Sequence, residues 1–312
     1  MRYRSQHSKL VILFLASRPK FLVASAAPVL VGSALGYATT GVFQPLLFVL
    51  ALLSIMALHA GANMANDYFD HISGNDWVNQ NPTPFSGGSR YIQEGTLSPK
   101  ATLTAALVAL AASSAIGIVI LLLTRSIFIL ILGLTGLLGG FFYTAPPIRL
   151  GYRAIGEFVI ALLFGLLPVY GAYYLQTRVV DILPLMPACL VGILIFLVIL
   201  VNEFPDVAAD TTVNKITLVV RFGVPACIWI YRTALIASYI LAAAAIFIYR
   251  CMFFAGLFYL FTIPFAVAAT KFANQKNLTT PGSYRANKIT ILLHSIGAFV
   301  LTAGFVVYGL TM

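Results

Sequence analysis

Nine apolar stretches of about 20 residues recur along the chain. A helix of about 20 apolar residues is long enough to cross the roughly 30 Å hydrocarbon core of a bilayer. Helices also satisfy their own backbone hydrogen bonds, which a segment surrounded by lipid must do. The pattern therefore predicts an all-α polytopic membrane protein with nine transmembrane helices in one bundle. The predicted helices cover about residues 20–38, 44–66, 101–123, 127–143, 155–175, 183–203, 225–249, 252–270 and 289–310.

Composition excludes an ordinary soluble domain. Only 9% of the 312 residues are charged and 60% are hydrophobic, whereas about 25% of the residues in a typical soluble domain are charged. No long polar linker divides the apolar stretches. We therefore expect residues 1–312 to form a single transmembrane domain.

Basic residues predict the orientation in the membrane. With nine crossings, fifteen of the nineteen Lys and Arg residues fall on one side, including Arg2 and Arg4 near the N-terminus. Because Lys and Arg accumulate in cytoplasmic loops, we expect an integral protein of the cell (inner) membrane with its N-terminus inside and its C-terminus outside. The net charge of +10 then reflects topology and attraction to anionic membrane lipid. No aromatic-basic module indicates a nucleic-acid partner.

Acidic residues are rare and concentrated in two segments. Six of the nine lie within residues 63–76 and 202–210, at the ends of apolar stretches, and a seventh, Glu94, lies in the loop after the first segment. The order Asn, acid, aromatic, any residue, Asp begins at Asn66 and returns at Asn202, a constant offset of 136 residues. Carboxylates at a membrane edge are costly to place and are functional candidates by default. The repetition predicts one site that faces the cytoplasm and is built from both segments.

Carboxylate and amide oxygens are hard ligands, which favour Mg²⁺. This ion is commonly bound through one or two carboxylates together with substrate phosphates. Two acidic segments that face each other therefore predict two Mg²⁺ ions bridging a diphosphate. The candidate metal ligands are Asn66, Asp67, Asp70, Asp76, Asp206 and Asp210.

A diphosphate held in this way becomes a better leaving group. If it is attached to an allylic carbon, its departure leaves a carbocation that an apolar bundle shields from water. Guanidinium, ammonium and amide groups suit the phosphate oxygens. The substrate-binding candidates are Asn63, Asn66, Asn202, Arg90, Arg149, Arg153, Lys215 and Arg221, and the catalytic candidates are Asp67, Asp70, Asp206, Asp210 and Tyr143.

For Glu157 and Asn214 the sequence predicts structural roles. Glu157 begins the fifth apolar stretch close to the basic loop that contains Arg149 and Arg153, so we expect it to pair with one of these arginines. Asn214 follows the second acidic segment, and asparagine tolerates the left-handed turn that a glycine would make there.

The two acidic segments resemble the motifs of the UbiA superfamily of intramembrane aromatic prenyltransferases. Its motifs N-D-x-x-D-x-x-x-D and D-x-x-x-D match Asn66, Asp67 and Asp70, and then Asp206 and Asp210. The third acid of the first motif falls on Gly74, with Asp76 two residues later. The likeness extends to Arg18-Pro19-Lys20, Gly87-Gly88-Ser89-Arg90, and Lys215-x-Thr217-Leu218-x-Val220-Arg221-x-Gly223. Within the superfamily, the chain looks most like the branch that prenylates dihydroxynaphthoate.

This resemblance implies a Mg²⁺-dependent enzyme that moves a polyprenyl group from an allylic polyprenyl diphosphate to an aromatic acceptor. The branch implies 1,4-dihydroxy-2-naphthoate as acceptor, in menaquinone biosynthesis. Other acceptors used in the superfamily remain alternatives, namely 4-hydroxybenzoate, homogentisate, a porphyrin side chain or a glycerol phosphate lipid. The prenyl chain length and the oligomeric state are left open.

A cation-coupled membrane transporter is the alternative from a different class, because transporters also place paired acids in two related halves. Depth separates the two hypotheses. Transporter sites lie near the middle of the bilayer, whereas these acids lie at the ends of the apolar stretches, beside a glycine-rich and basic loop.

Overall fold

The computed structural model describes residues 8–311. Across this range the chain is helical, with short 3-10 turns and no β-strand. The principal helices are α1 (Lys9–Ala16), α2 (Val23–Thr40), α3 (Pro45–Ile72), α4 (Asn75–Val78), α5 (Pro99–Thr124), α6 (Ile127–Phe141), α7 (Gly156–Ala161), α8 (Leu167–Thr177), α9 (Leu185–Glu203), α10 (Val207–Thr212), α11 (Leu218–Ile248), α12 (Phe253–Leu260), α13 (Ile263–Phe272), α14 (Gln275–Thr279) and α15 (Arg285–Leu310). One π turn, Leu162–Leu166, joins α7 to α8.

All nine predicted stretches are helical, which confirms an all-helical membrane protein. In the described part of the chain, seven helical segments are long and apolar enough to cross a bilayer. Two stretches fall short of that standard. The stretch predicted at 252–270 is bent by 49° between α12 and α13, and α6 has only 15 residues. The number of nine crossings therefore stays a prediction.

Small residues let the helices of the bundle approach closely. A Cβ atom on Gly32 of α2 would collide with the backbone of Val169 in α8, and one on Gly304 of α15 would collide with the backbone of Ala255 in α12. Lipid supplies no hydrophobic drive between helices, so membrane bundles depend on this close packing. It fixes α2 between α8 and α15.

Two interruptions bring the acidic segments together. Helix α3 ends at Ile72, and Gly74 adopts φ +83° before α4 begins, which glycine does without steric cost. Helix α9 ends at Glu203 in a 3-10 turn containing Pro205, and α10 then starts at Val207. Helices α4 and α10 contact each other. Asn214, after α10, has φ +55°, which confirms the left-handed turn expected there.

Candidate active site

A polar cavity of about 210 Å³ lies where α3, α4, α9 and α10 meet. Both acidic segments line it, so the structure brings together the two motifs of the sequence. Its polar lining residues are Arg18, His59, Asn63, Asn66, Asp70, Asn75, Asp76, Asn79, Ser86, Tyr143, Asn202, Glu203, Asp206, Asp210 and Lys215.

Helix α3 carries the first acidic segment. Asn66 and Asp70 are four residues apart and share a helix face, and the Asn66 Nδ2 donates to Asp70 Oδ2 at 2.9 Å. The Tyr152 hydroxyl donates to the other oxygen, Asp70 Oδ1, also at 2.9 Å. Asp67 is paired with the Arg18 guanidinium, which also donates to Asn66 Oδ1 at 3.2 Å. The carboxylates of this segment are thus held in fixed directions.

Amides of α4 and the residue after it hold the second segment. Asn75 Nδ2 donates to Asp210 Oδ1 at 2.8 Å, and Asn79 Nδ2 donates to Asp206 Oδ1 at 2.8 Å. The Lys215 ammonium links the two segments, because it lies 3.3 Å from Asp210 Oδ1 and 3.7 Å from Asp70 Oδ2. Burial alone lowers the pKa of Lys215, but the Asp70 and Asp210 carboxylates outweigh it and hold that pKa well above its ordinary value.

The glycine-rich loop closes one side of the cavity. Gly88 has φ +77°, and a Cβ atom there would stand 2.9 Å from Asp76 Oδ2, so only glycine lets the loop backbone approach this carboxylate. The next residue, Ser89, donates its backbone N–H to Asp67 Oδ1 at 3.2 Å. The Arg90 guanidinium donates to the backbone oxygen of Asp76. The loop is therefore built onto the first acidic segment.

Some predicted substrate-binding residues lie elsewhere. Among the described residues, the lining of the polar cavity does not include Arg90, Arg149, Arg153 or Arg221. The exposed Arg153 donates through Nε to the backbone oxygen of Ile148 at 2.6 Å, and the Arg149 guanidinium lies over the Tyr152 ring at 5.4 Å. Arg149 and Arg153 thus contact residues of their own turn. Arg221 is exposed at the start of α11.

The site residues missed by sequence reasoning include Arg18, Asn75, Asn79 and Tyr152. Arg18 had a signal, since it belongs to the Arg18-Pro19-Lys20 element of the resemblance. It also has φ +56°, and a non-glycine residue in this region is often found at functional sites. The other three are ordinary polar residues of loops and short helices, and nothing in their spacing marks them.

The expected pairing of Glu157 with Arg149 or Arg153 is wrong. Glu157 is fully buried, and its Oε1 accepts the backbone N–H of Leu218 at 2.6 Å. Its carboxyl group also lies within hydrogen-bonding reach of the Glu203 carboxyl. Glu157 is thus hydrogen-bonded to the first residue of α11, the helix that follows the second acidic segment. Arg153 is exposed and is hydrogen-bonded to Ile148 instead.

The residues of the cavity fit a divalent cation. Within residues 8–311, no three Asp, Glu, His or Cys side chains converge to form a metal site from protein ligands alone, yet Mg²⁺ needs only one or two carboxylates plus phosphate oxygens and water. Asp67 Oδ2 is buried without a hydrogen-bond partner. Burial, followed by the Asp70 and Asp67 charges, raises the pKa of Asp76 to about 8. The carboxylates of the two segments therefore carry more negative charge than Arg18 and Lys215 neutralise.

Magnesium is expected to stabilise the protein more strongly at alkaline pH. Without metal, the raised pKa of Asp76 means that folded stability falls as pH rises from the ordinary carboxyl pKa of 3.8 to about 8, because only the unfolded chain ionises freely. A bound cation favours the ionised carboxylate. The rise in Tm on adding Mg²⁺ should thus be larger near about pH 8.5 than near about pH 6. In Asp76→Asn this difference between the two pH values should become smaller; an unchanged difference there would contradict the assignment.

A second, apolar cavity of about 330 Å³ adjoins the polar one. Helices α3, α5, α6 and α8 line it, mainly with Leu, Ile, Ala and Gly. The two cavities share five lining residues: His59, Ala62, Gly140, Leu163 and Phe164. The adjoining polar and apolar cavities therefore suit a molecule with a polyanionic head and a long hydrocarbon tail.

Residues 25–308 match the UbiA prenyltransferase family. The 1,4-dihydroxy-2-naphthoate octaprenyltransferase of Haemophilus influenzae is 34% identical over 223 residues, which cover 70% of this chain and 71% of that protein. The 2-carboxy-1,4-naphthoquinone phytyltransferase of Synechocystis is 26% identical over 293 residues, covering 93% of this chain and 91% of that protein.

The fold is also that of solved relatives. A UbiA homologue from Archaeoglobus fulgidus bound to GPP and Mg²⁺ superposes with a TM-score of 0.69 at 18% identity, over 96% of this chain and 98% of that one. Family, sequence relatives and fold agree with the resemblance of the acidic segments. The chain is therefore a membrane prenyltransferase that belongs to the UbiA prenyltransferase family.

Proposed function

We propose that this enzyme transfers a polyprenyl group from an allylic polyprenyl diphosphate to 1,4-dihydroxy-2-naphthoate, with loss of the acceptor's carboxylate as carbon dioxide. The observation that carries the proposal is that the charged polar cavity adjoins the apolar one and shares five lining residues with it. The naphthoate prenyltransferases among the relatives support the choice of acceptor. Menaquinone biosynthesis is the corresponding pathway.

The diphosphate binds in the polar cavity. Lys215 and Arg18 supply positive charge next to the carboxylates, and Asn63, Asn66 and Asn202 supply amide donors from the cavity wall. Two Mg²⁺ ions, when bound, supply the charge that makes the diphosphate a better leaving group. The residues that would hold them are Asn66, Asp70, Asp76, Asp206 and Asp210 of the cavity lining, together with Asp67, which is paired with Arg18 and is not itself part of that lining.

The prenyl chain extends from this head into the apolar cavity. There it buries hydrocarbon surface, and the walls keep water from the allylic carbon once the diphosphate leaves. A carbocation formed at the junction meets the aromatic rings of His59 and Phe164, whose centroids are 4.6 Å apart. Ring faces attract positive charge.

The acceptor binds beside Tyr143. Burial, with the nearby Glu203 and Glu157 carboxyl groups, raises the pKa of Tyr143 well above its ordinary value. Tyr143 therefore keeps its proton and orients the acceptor as a hydrogen-bond donor. Arg149, Arg153 and Arg221, which do not line the cavity, act as charges that attract anionic substrates to its mouth.

The site faces the cytoplasm in the proposed orientation, and residues 1–312 form a single transmembrane domain. Nine crossings result if α6 and the bent pair of α12 and α13 each span the bilayer with the seven longer segments. The N-terminus then lies inside and the C-terminus outside. The basic residues Arg2 and Arg4, which contributed to this prediction, lie outside the described residues.

Acceptor labelled with carbon-14 in its carboxyl group tests this function. Attachment of the prenyl group to the carbon that bears the carboxylate leaves a β-keto acid, and expulsion of carbon dioxide restores the aromatic ring. Membranes containing the protein should therefore release labelled carbon dioxide in step with prenylated product. A product that retains the label would overturn the proposal, as would turnover of 4-hydroxybenzoate, homogentisate, a porphyrin or a glycerol phosphate lipid in its place.

A further inference from the structure

Two buried glutamates form a pair at the edge of the polar cavity. The exposed fraction is 0% for Glu157 and 7% for Glu203, and each keeps one oxygen, Oε2, buried without a hydrogen-bond donor. The two carboxyl groups lie within hydrogen-bonding reach of each other. Two ionised carboxylates can only accept, so they cannot satisfy one another. A single shared proton makes one group the donor and satisfies both.

The proton belongs mainly to Glu203. Glu157 Oε1 accepts the N–H of Leu218 at 2.6 Å, and Leu218 is the first residue of α11. A helix N-terminus stabilises negative charge, so the carboxylate of the pair is Glu157. Glu203 is the member that lines the polar cavity, together with Tyr143.

The proposed reaction needs a proton acceptor at this place. The ring carbon attacks only as the acceptor's hydroxyl gives up its proton, and Tyr143 keeps its own proton. The neighbouring carboxylates are already engaged, since Asp206 accepts from Asn79 and Asp210 accepts from Asn75 and Lys215. The pair, in contrast, carries one negative charge and is able to take one more proton.

We infer that Glu203 and Glu157 form a proton relay for the acceptor's hydroxyl group, an inference that rests on the proposed function. The carbon–oxygen bond of the allylic diphosphate breaks and its electron pair leaves with the diphosphate. The new carbon–carbon bond forms as the hydroxyl proton moves to one oxygen of Glu203 and the proton on its other oxygen moves to Glu157. Loss of carbon dioxide then returns an electron pair to the ring oxygen, which takes the proton back. Atoms and charge balance without any further reactant.

Charged and titratable groups face the pair from several sides. Tyr143 approaches from the turn after α6, Asp210 from α10 and Lys215 from the segment between α10 and α11. Tyr143, Asp210 and Lys215 affect how transfer activity depends on pH, so they must be unchanged in the variants that are compared. Glu203→Gln preserves the shape of the side chain and removes only its ability to exchange a proton.

Two assays separate the relay from a structural role. Transfer to the aromatic acceptor needs a proton acceptor, whereas release of diphosphate from prenyl diphosphate in water without acceptor does not. Glu203→Gln should lower transfer by about 100-fold or more and lower diphosphate release far less. Glu203→Asp should retain more transfer than Glu203→Gln. Glu94→Gln, at an exposed loop position, is the matched control and should retain both activities.

The pH profile gives a second readout. Raising the pH ionises the acceptor in solution, which removes the need for the relay, so the deficit of Glu203→Gln should shrink as pH rises. Normal transfer by Glu203→Gln would overturn the relay, as would equal loss of transfer and release at every pH. Failure of the unmodified enzyme to prenylate any aromatic acceptor, while it still releases diphosphate, would overturn the proposed function and the relay with it. The two failures are therefore distinguishable.

Discussion

Replacing Asp210 by Asn is expected to lower prenyl transfer by about 1,000-fold, the upper range for loss of one preorganised electrostatic group. Asparagine keeps the size of the side chain, and its oxygen can still accept from Asn75. It cannot offset the Lys215 charge or bind a cation as strongly. Transfer measured at saturating prenyl diphosphate and Mg²⁺ checks this result, and excess EDTA should abolish the activity of the unmodified enzyme. Asp70→Asn and Asp206→Asn should behave in the same way.

Asp181→Asn is the matched control for these variants. Asp181 is also an aspartate with fixed partners, because it accepts from the Tyr173 hydroxyl at 2.9 Å and from the Leu183 N–H at 2.8 Å. It is exposed and does not line the polar cavity. Its replacement should leave transfer intact. Similar losses in Asp181→Asn and Asp210→Asn would show that the effect is one of stability. Full activity of the unmodified enzyme in excess EDTA would remove the metal from the proposal.

The helical bundle could be predicted from sequence because lipid imposes a simple rule on apolar segments. The ends of the predicted helices were less accurate, because the rule applies only to residues inside the hydrocarbon core. The stretch predicted to end at residue 66 continues as α3 to Ile72, since the polar residues of the motif remain helical and face the polar cavity. The stretch predicted from residue 225 agrees with a break in α11 at Gly223, which has φ +80°. The short first segment of α11, which begins at Leu218 and is capped by the Thr217 side chain, was not predicted.

The acidic half of the site was also visible in the sequence, because acids are rare in this chain and each one stands out. Its partners were not visible. Arg18 meets Asp67 across 49 residues, and Asn75 meets Asp210 across 135, so these contacts depend on how distant helices pack. For Glu157, closeness in sequence suggested a contact that does not form. Arg149 and Arg153 are near it in the chain, yet Glu157 accepts the backbone N–H of Leu218, 61 residues away.

The apolar cavity is expected to limit the length of the prenyl chain, and glycines of α6 provide the test. Gly140 lies at the junction of the two cavities, and Gly133 lines the apolar cavity seven residues earlier, which is roughly 10 Å along a helix. A Cβ atom at Gly133 meets no other atom within 4 Å, and one at Gly140 makes only ordinary contacts. Larger side chains at these positions therefore fill the cavity without disturbing the bundle.

Gly133→Leu should obstruct only long chains, and Gly140→Leu should obstruct all chains longer than the first units. We expect Gly133→Leu to lower kcat/KM for geranylgeranyl diphosphate by more than about 100-fold, since several carbons are displaced and each is worth about tenfold or more in a tight pocket, with little change for geranyl diphosphate. Gly140→Leu should lower kcat/KM for both. Val108→Leu, on the exposed face of α5, controls for added bulk. If Gly133→Leu impairs the two diphosphates equally, the tail lies elsewhere, and the continuity of the cavities no longer supports the proposed function.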